Sequence, residues 1–113
     1  MRRGEIWLIN LDPAVGAEIK KTRPAVIVND DAIGILPLRV IVPITEWKDR
    51  YAIAPWMVRL TPDAENGLDK PSAADTFQVR SLSQARFVRQ LGKLSSTSMQ
   101  EIAKALALVL AIE

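Results

Sequence analysis

The chain has 113 residues, 49% of them hydrophobic, which fits one compact domain over residues 1–113, because chains of this size close a single core. Fifteen Lys and Arg against thirteen Asp and Glu leave a net charge of +2, a mild basicity that admits phosphate-rich partners without demanding them. There is no Cys and no His, which excludes disulfides, thiolate metal sites, Cys nucleophiles, imidazole catalysis and His-ligated zinc.

The opening Met1-Arg2-Arg3-Gly4-Glu5 runs straight into apolar residues and lacks the basic, apolar and small-residue regions of a signal peptide. The expectation is a cytoplasmic protein. Glu5-Ile6-Trp7-Leu8-Ile9-Asn10-Leu11 is rich in β-formers and stops at Asp12-Pro13, giving a first strand. A polar stretch, Asp12 to Arg23, follows and reads as a mobile flap or a plain solvated loop. Pro24 introduces a second strand, Ala25 to Val28, closed by the turn-forming Asn29-Asp30-Asp31. The third strand, Leu38 to Val42, lies between Pro37 and Pro43. Its unbroken apolar character predicts burial on both faces, and its end delivers Thr45 to the rim of the sheet.

Pro55 to Leu60 reads as a fourth strand, and the alternating Thr76-Phe-Gln-Val-Arg-Ser-Leu82 as a fifth with Arg80 facing outward. Ser83 to Gln90 predicts a short helical turn ended by Gly92, and Leu91 to Leu94 a last edge strand. The C-terminal segment is the one strong helix. Ser98 and Glu101 have capping-box spacing, and Met99, Ile102, Ala103, Leu106, Val109 and Leu110 share one face. Ala105 and Leu108 widen that face, which points to contact with a second copy of the chain. The apolar run Ala105 to Ile112 has eight residues, far below the ~20 a membrane-spanning helix needs. The fold class is therefore mainly β with a C-terminal α-helix, a small barrel capped by the helix.

Arg23 precedes Pro24, which biases Arg23 toward extended backbone and gives its guanidinium a rigid perch at the start of a strand. From there it can grip a phosphate through two parallel hydrogen bonds, or form an ordinary surface ion pair. Between Asp75 and Glu101 there is no acidic residue, whereas Arg80, Arg86, Arg89 and Lys93 make the interval locally +4. With Arg86 and Arg89 on one side of a turn, this segment reads as a groove for a phosphate backbone or as a solubilising face. Trp7, Trp47, Trp56 and Phe77 are candidate stacking platforms for bases, Trp47 being the most exposed in expectation, although core packing is the commoner use of such residues. Asp30 and Asp31 have no third ligand near them in sequence, so no metal is called for.

Three stretches together resemble the MazF/PemK family of bacterial toxins, ribonucleases that cut single-stranded RNA. The first is Arg3-Gly-Glu-Ile-Trp-Leu-Ile-Asn-Leu-Asp-Pro13 with Gly16-Ala-Glu18 and Thr22-Arg-Pro-Ala-Val-Ile-Val28. The others are Pro43-Ile-Thr45, and Gln78-Val-Arg-Ser-Leu-Ser83 through Leu91-Gly-Lys-Leu-Ser95. The resemblance implies an SH3-like barrel, a homodimer, and a cognate MazE-like antitoxin whose C-terminal segment occupies the RNA groove. It also implies catalytic roles for Arg23, Thr45 and Glu18, while the charge and aromatic pattern read above gives the expected RNA path over Lys20, Lys21, Trp47, Arg80 and Arg86. Some members place Asp directly before the Gln of the fifth strand, where this chain has Phe77 with Asp75 two residues earlier, and the loop His of other members is absent.

Cleaving RNA without a metal or cofactor requires the neighbouring 2′-OH to attack phosphorus, which leaves a 2′,3′-cyclic phosphate and a 5′-OH and spares DNA. Arg23 would neutralise the crowded phosphorane and Thr45 would hydrogen-bond the scissile phosphate. Neither is a ready general base, so Glu18 or a bound water completes proton transfer. The alternatives on the same barrel are a non-catalytic RNA binder, a gyrase-directed toxin like the CcdB relatives, and a degenerate member that keeps only antitoxin binding.

Overall fold

The computed structural model describes residues 1–113 and consists of seven strands, several single 3-10 turns and one α-helix. The strands are β1 (Glu5–Asn10), β2 (Thr22–Ile27), β3 (Leu38–Glu46), β4 (Met57–Leu60), β5 (Ser72–Asp75), β6 (Arg80–Ser83) and β7 (Phe87–Lys93), and α1 covers Ser96–Val109. All pairings are antiparallel, in the spatial order β4-β5-β3-β2-β1-β7, with β6 beside the first half of β3.

β3 is the hub. Its residues 38–41 pair with β6, residues 41–43 with β2 and residues 44–46 with β5, so one long strand carries the sheet around a corner and curls it into a small, open barrel. The strand was expected to stop at Pro43, yet it runs on to Glu46. Pro43 stands opposite Ala25 of β2, and an isolated proline is tolerated in a strand where no ladder donor is required of it. Both faces are buried as the apolar run predicts. Val42 and Ile44 face the core under α1 with Ile6, Val26, Leu60 and Ile102, while Ile41 joins Ile9, Ala25, Ile27 and Leu82 in a second core.

Three expectations for the second half change. Thr76 to Leu82 is not one strand: Thr76–Gln78 forms a 3-10 turn because the Asp75 carboxylate accepts the Phe77 N–H, and pairing resumes at Arg80. The preceding Ser72–Asp75, with all four residues buried between β3 and β4, is a strand that its small, non-alternating side chains conceal. The expected helical turn shrinks to Gln84–Arg86, and Phe87–Lys93 is a full strand along β1 with two register shifts.

The helix starts one turn early. Leu94 N–H bonds Gly4 O and ends the strand, and the next residue, Ser95, caps the helix by accepting the Ser98 N–H. Met99, Ile102 and Ala105 are buried, whereas Ala103 and Leu110, expected on the same stripe, are exposed. Residues 108, 110 and 112 leave three apolar side chains, Leu108, Leu110 and Ile112, on the surface. No helix is long and apolar enough to cross a membrane.

Candidate functional site

Arg23 is the second residue of β2, where the proline that follows holds it extended, and it stands opposite Ile9 of β1. Thr45 lies near the end of β3, opposite Ala73 of β5. These two strand ends open onto one pocket of about 250 Å³, whose walls include Thr22, Arg23, Thr45, Glu46, Asp69 and Lys70. Arg23 and Thr45, the two residues expected to work together, therefore line one cleft.

Arg23 is not spent on an ion pair, since the two salt bridges of the chain are Met1 with Glu5 and Lys70 with Glu46. Its bond within the chain runs from Nε to Lys20 O at 3.3 Å. A part-buried guanidinium with both Nη groups uncommitted is poised for a bidentate anion such as phosphate. Lys70 Nζ stands 3.7 Å from Glu46 Oε2 across the same pocket. Sequence reasoning missed Glu46, Asp69 and Lys70, because the turn-rich stretch that carries the latter two has no periodicity and no motif to mark it.

Glu18 is not in this cleft. Its carboxylate accepts the Val15 N–H at 2.9 Å, and its side chain lines a neighbouring pocket of about 270 Å³ with Ile19, Pro43, Phe77, Gln78 and Arg80. The flap that carries Glu18 is tied down. Gln78 Oε1 accepts Ile19 N–H at 2.6 Å, and Gln78 Nε2 donates to Ala17 O at 3.3 Å and to Asp75 Oδ2 at 3.2 Å. Lys21 N–H donates to Asp12 Oδ1 at 2.9 Å, and Leu11 N–H bonds Lys21 O. The loop is thus a hydrogen-bonded strap with Lys20 and Lys21 exposed on it. Burial pushes the Asp75 carboxyl above its ordinary value, opposed by hydrogen bonds from Phe77 N–H and Gln78.

The expected RNA path is only partly assembled. Arg80 lines the pocket of Glu18, but Arg86 sits in the 3-10 turn and donates through Nη1 to Asn10 O and Asp12 O, clamping the end of β1. Arg86 and Arg89 do not share a turn, because Arg89 belongs to β7. Trp47 is partly buried, with the Arg59 guanidinium 4.9 Å from its ring centre and Tyr51 edge-on, so a base cannot use the covered face. The exposed aromatics are Trp56 and Phe77, 38% and 68% accessible, packed edge-on against each other. The Phe77 ring stands outside the Arg23–Thr45 cleft.

Comparison with known proteins places this architecture. The chain is 34% identical to "Endoribonuclease MazF9" of Mycobacterium tuberculosis over 114 aligned residues, covering 96% of this chain and 94% of the relative. Its fold matches the crystal structure of MazF from Deinococcus radiodurans with a TM-score of 0.82 at 24% identity, covering 98% of this chain and 96% of that one. A mycobacterial endoribonuclease solved in complex with its cognate antitoxin superposes with a TM-score of 0.78 at 20% identity, covering 100% and 97%. Residues 2–110 match the family described as the PemK-like, MazF-like toxin of type II toxin–antitoxin systems, and the chain belongs to that family.

Proposed function

We propose that the protein is an endoribonuclease, the toxin of a toxin–antitoxin pair, cleaving single-stranded RNA without a metal to leave 2′,3′-cyclic phosphate and 5′-OH ends. The observation that carries this reading is the convergence of Arg23 and Thr45 on one cleft with the Arg23 guanidinium free of any carboxylate. In that cleft the neighbouring 2′-OH supplies the nucleophile, so the chain has only to hold the phosphodiester in line and offset its growing negative charge. Arg23 offsets the charge with a fixed fork of donors and Thr45 adds a neutral hydrogen bond to the scissile phosphate. Lys20 and Lys21 are exposed on the strap, and Arg80 lines the pocket beside Glu18, which adds cations for a phosphate backbone. A gyrase-directed or purely RNA-binding protein has no need of the Arg23–Thr45 pairing.

Relatives that are endoribonucleases, and a structural neighbour solved in complex with its cognate antitoxin, support both the activity and a MazE-like antitoxin as partner. With RNA as substrate, the cytoplasm is the site of action. The exposed Leu108, Leu110 and Ile112 near the C-terminus support a homodimer, because exposed apolar side chains are what a partner copy covers; a sedimentation mass of one chain at micromolar concentration removes it.

The test is to incubate the purified protein with total RNA and excess EDTA, then sequence the fragments that carry 5′-hydroxyl ends. Cleavage at a recurring unpaired motif is expected, with the same sequence in DNA left intact. Cleavage that stops on chelation, or 5′-phosphate ends, rules out the mechanism.

A further inference from the structure

We propose that Glu46 and Lys70 are the proton-transfer pair of the Arg23–Thr45 cleft, Glu46 taking the proton of the attacking 2′-OH and Lys70 delivering one to the departing 5′-oxygen. This inference rests on the RNA-cleaving reading above.

The cleft needs such a pair. Arginine is protonated throughout the working range and a threonine hydroxyl is a weak base, so neither Arg23 nor Thr45 accepts the proton. Glu18 is committed to Val15 N–H in the neighbouring pocket. That leaves the carboxylates within the cleft, Glu46 and Asp69.

Glu46 is the better placed. It follows Thr45 directly at the end of β3, opposite Ser72 of β5, and its Oε2 is held 3.7 Å from Lys70 Nζ. The backbone beneath both residues is fixed, since Trp47 N–H donates to Pro71 O at 3.0 Å and Ser72 Oγ donates to Lys70 O at 2.8 Å. Asp69 sits on the exposed turn and takes part in neither salt bridge. The pair also contributes little to the fold: its side chains are 60% and 56% exposed for Glu46 and Lys70, and exposed ion pairs add little to stability. Open to solvent, it is equally open to a polynucleotide.

The step balances within the cleft. The O2′–H bond breaks and its proton goes to the Glu46 carboxylate while O2′ bonds phosphorus. The P–O5′ bond then breaks, and O5′ takes a proton from Lys70 Nζ. The proton on Glu46 passes to the neutral Lys70 amine, directly or through water, and the pair is restored with no further reactant.

The test uses single-turnover cleavage of a synthetic oligonucleotide that carries the site mapped in total RNA, made once with the native 5′-oxygen and once with sulfur in that bridging position. Glu46→Gln is expected to slow both substrates by about 10²-fold or more, the usual contribution of a positioned acid or base. Lys70→Ala is expected to slow the oxygen substrate comparably but to recover on the sulfur one, because a thiolate, with a thiol pKa of about 8.5, leaves without a proton. Binding of the same oligonucleotide with 2′-deoxyribose at the cleavage site should be no weaker in Glu46→Gln. Glu46→Gln within about threefold of wild type, a larger loss in Asp69→Asn than in Glu46→Gln, or a Lys70→Ala defect that sulfur does not relieve overturns the pair. A wild-type protein that cuts neither substrate overturns the RNA-cleaving reading itself, a result distinct from all of these.

Discussion

Arg23→Ala is expected to lower the single-turnover rate of RNA cleavage by about 10²–10³-fold, the range measured when one preorganised donor to a developing oxyanion is removed. The loss falls on the chemical step, because phosphorus carries more negative charge on its oxygens at the phosphorane than in the ground state. The fold should not notice. Arg23 has no salt bridge and one bond of 3.3 Å to Lys20 O, an acceptor already near solvent, so the urea midpoint should stay near wild type. Arg23→Lys sharpens the argument, because an ammonium restores the charge without the planar fork and should recover only part of the rate. Paired measurement of cleavage and urea unfolding on the two variants decides it. An Arg23→Ala protein that cleaves within about threefold of wild type takes Arg23 out of the mechanism.

The placement of Arg23 and Thr45 is readable from local chemistry. The proline after Arg23 biases the backbone beneath it toward extended geometry, and the short apolar run before Thr45, flanked by Pro37 and Pro43, reads as a doubly buried strand. Both residues consequently arrive at the ends of neighbouring elements where the pattern puts them, at the mouth of one cleft. The terminal helix follows from its periodicity, with Met99 and Ile102 of the expected stripe buried and Ala103 and Leu110 exposed.

What the pattern does not carry is the competition for side chains. Arg86 has the composition of a phosphate contact, but the carbonyls at the end of β1 take its guanidinium first. Trp47 has charged neighbours in sequence and still lies under Arg59 of β4. Glu18 belongs to a loop that looks free until Gln78, some sixty positions away, straps it to Asp75. Ser72–Asp75 hides because burial on both sides erases alternation, and Asp75 then breaks the expected strand by capping its own turn. In each case a partner distant in the chain decides, and Glu46 and Lys70 meet for the same reason.

Gly67→Ala should be the most destabilising single methyl in the chain. Gly67 has φ +69°, in the region where a side chain costs about 1–2 kcal/mol. A Cβ there would also stand 2.1 Å from Leu91 O and 2.7 Å from Leu91 C, both backbone atoms of β7. Neither side can retreat. On the β7 side, Lys93 N–H bonds Glu65 O, and a Cβ on Gly92 would itself stand 2.2 Å from that oxygen. On the turn side, buried Asn66 donates to Thr61 O and accepts from Asp63 and Leu68 N–H. Overpacking of this kind adds about 1–3 kcal/mol to the φ cost, so a loss of about 3 kcal/mol or more is expected, a large share of the 5–15 kcal/mol that holds most domains together. Gly16→Ala is the control: it shares the positive φ, at +60°, but has nothing within 4 Å of the new carbon, and should cost only about 1 kcal/mol. The contrast has a structural meaning. β4 and β7 end the strand order without pairing, and the turn after β4 closes the barrel by laying its backbone against β7 where two glycines let the chains touch. Leu68, Asp69 and Lys70 leave that crossing directly into the wall of the Arg23–Thr45 cleft, so Gly67→Ala should also slow RNA cleavage under conditions where the protein is still folded. Unfolding free energies of the two variants, from urea titration, that lie within about 1 kcal/mol of each other would show that the crossing yields, and that the closure of the barrel does not hold the cleft wall in place.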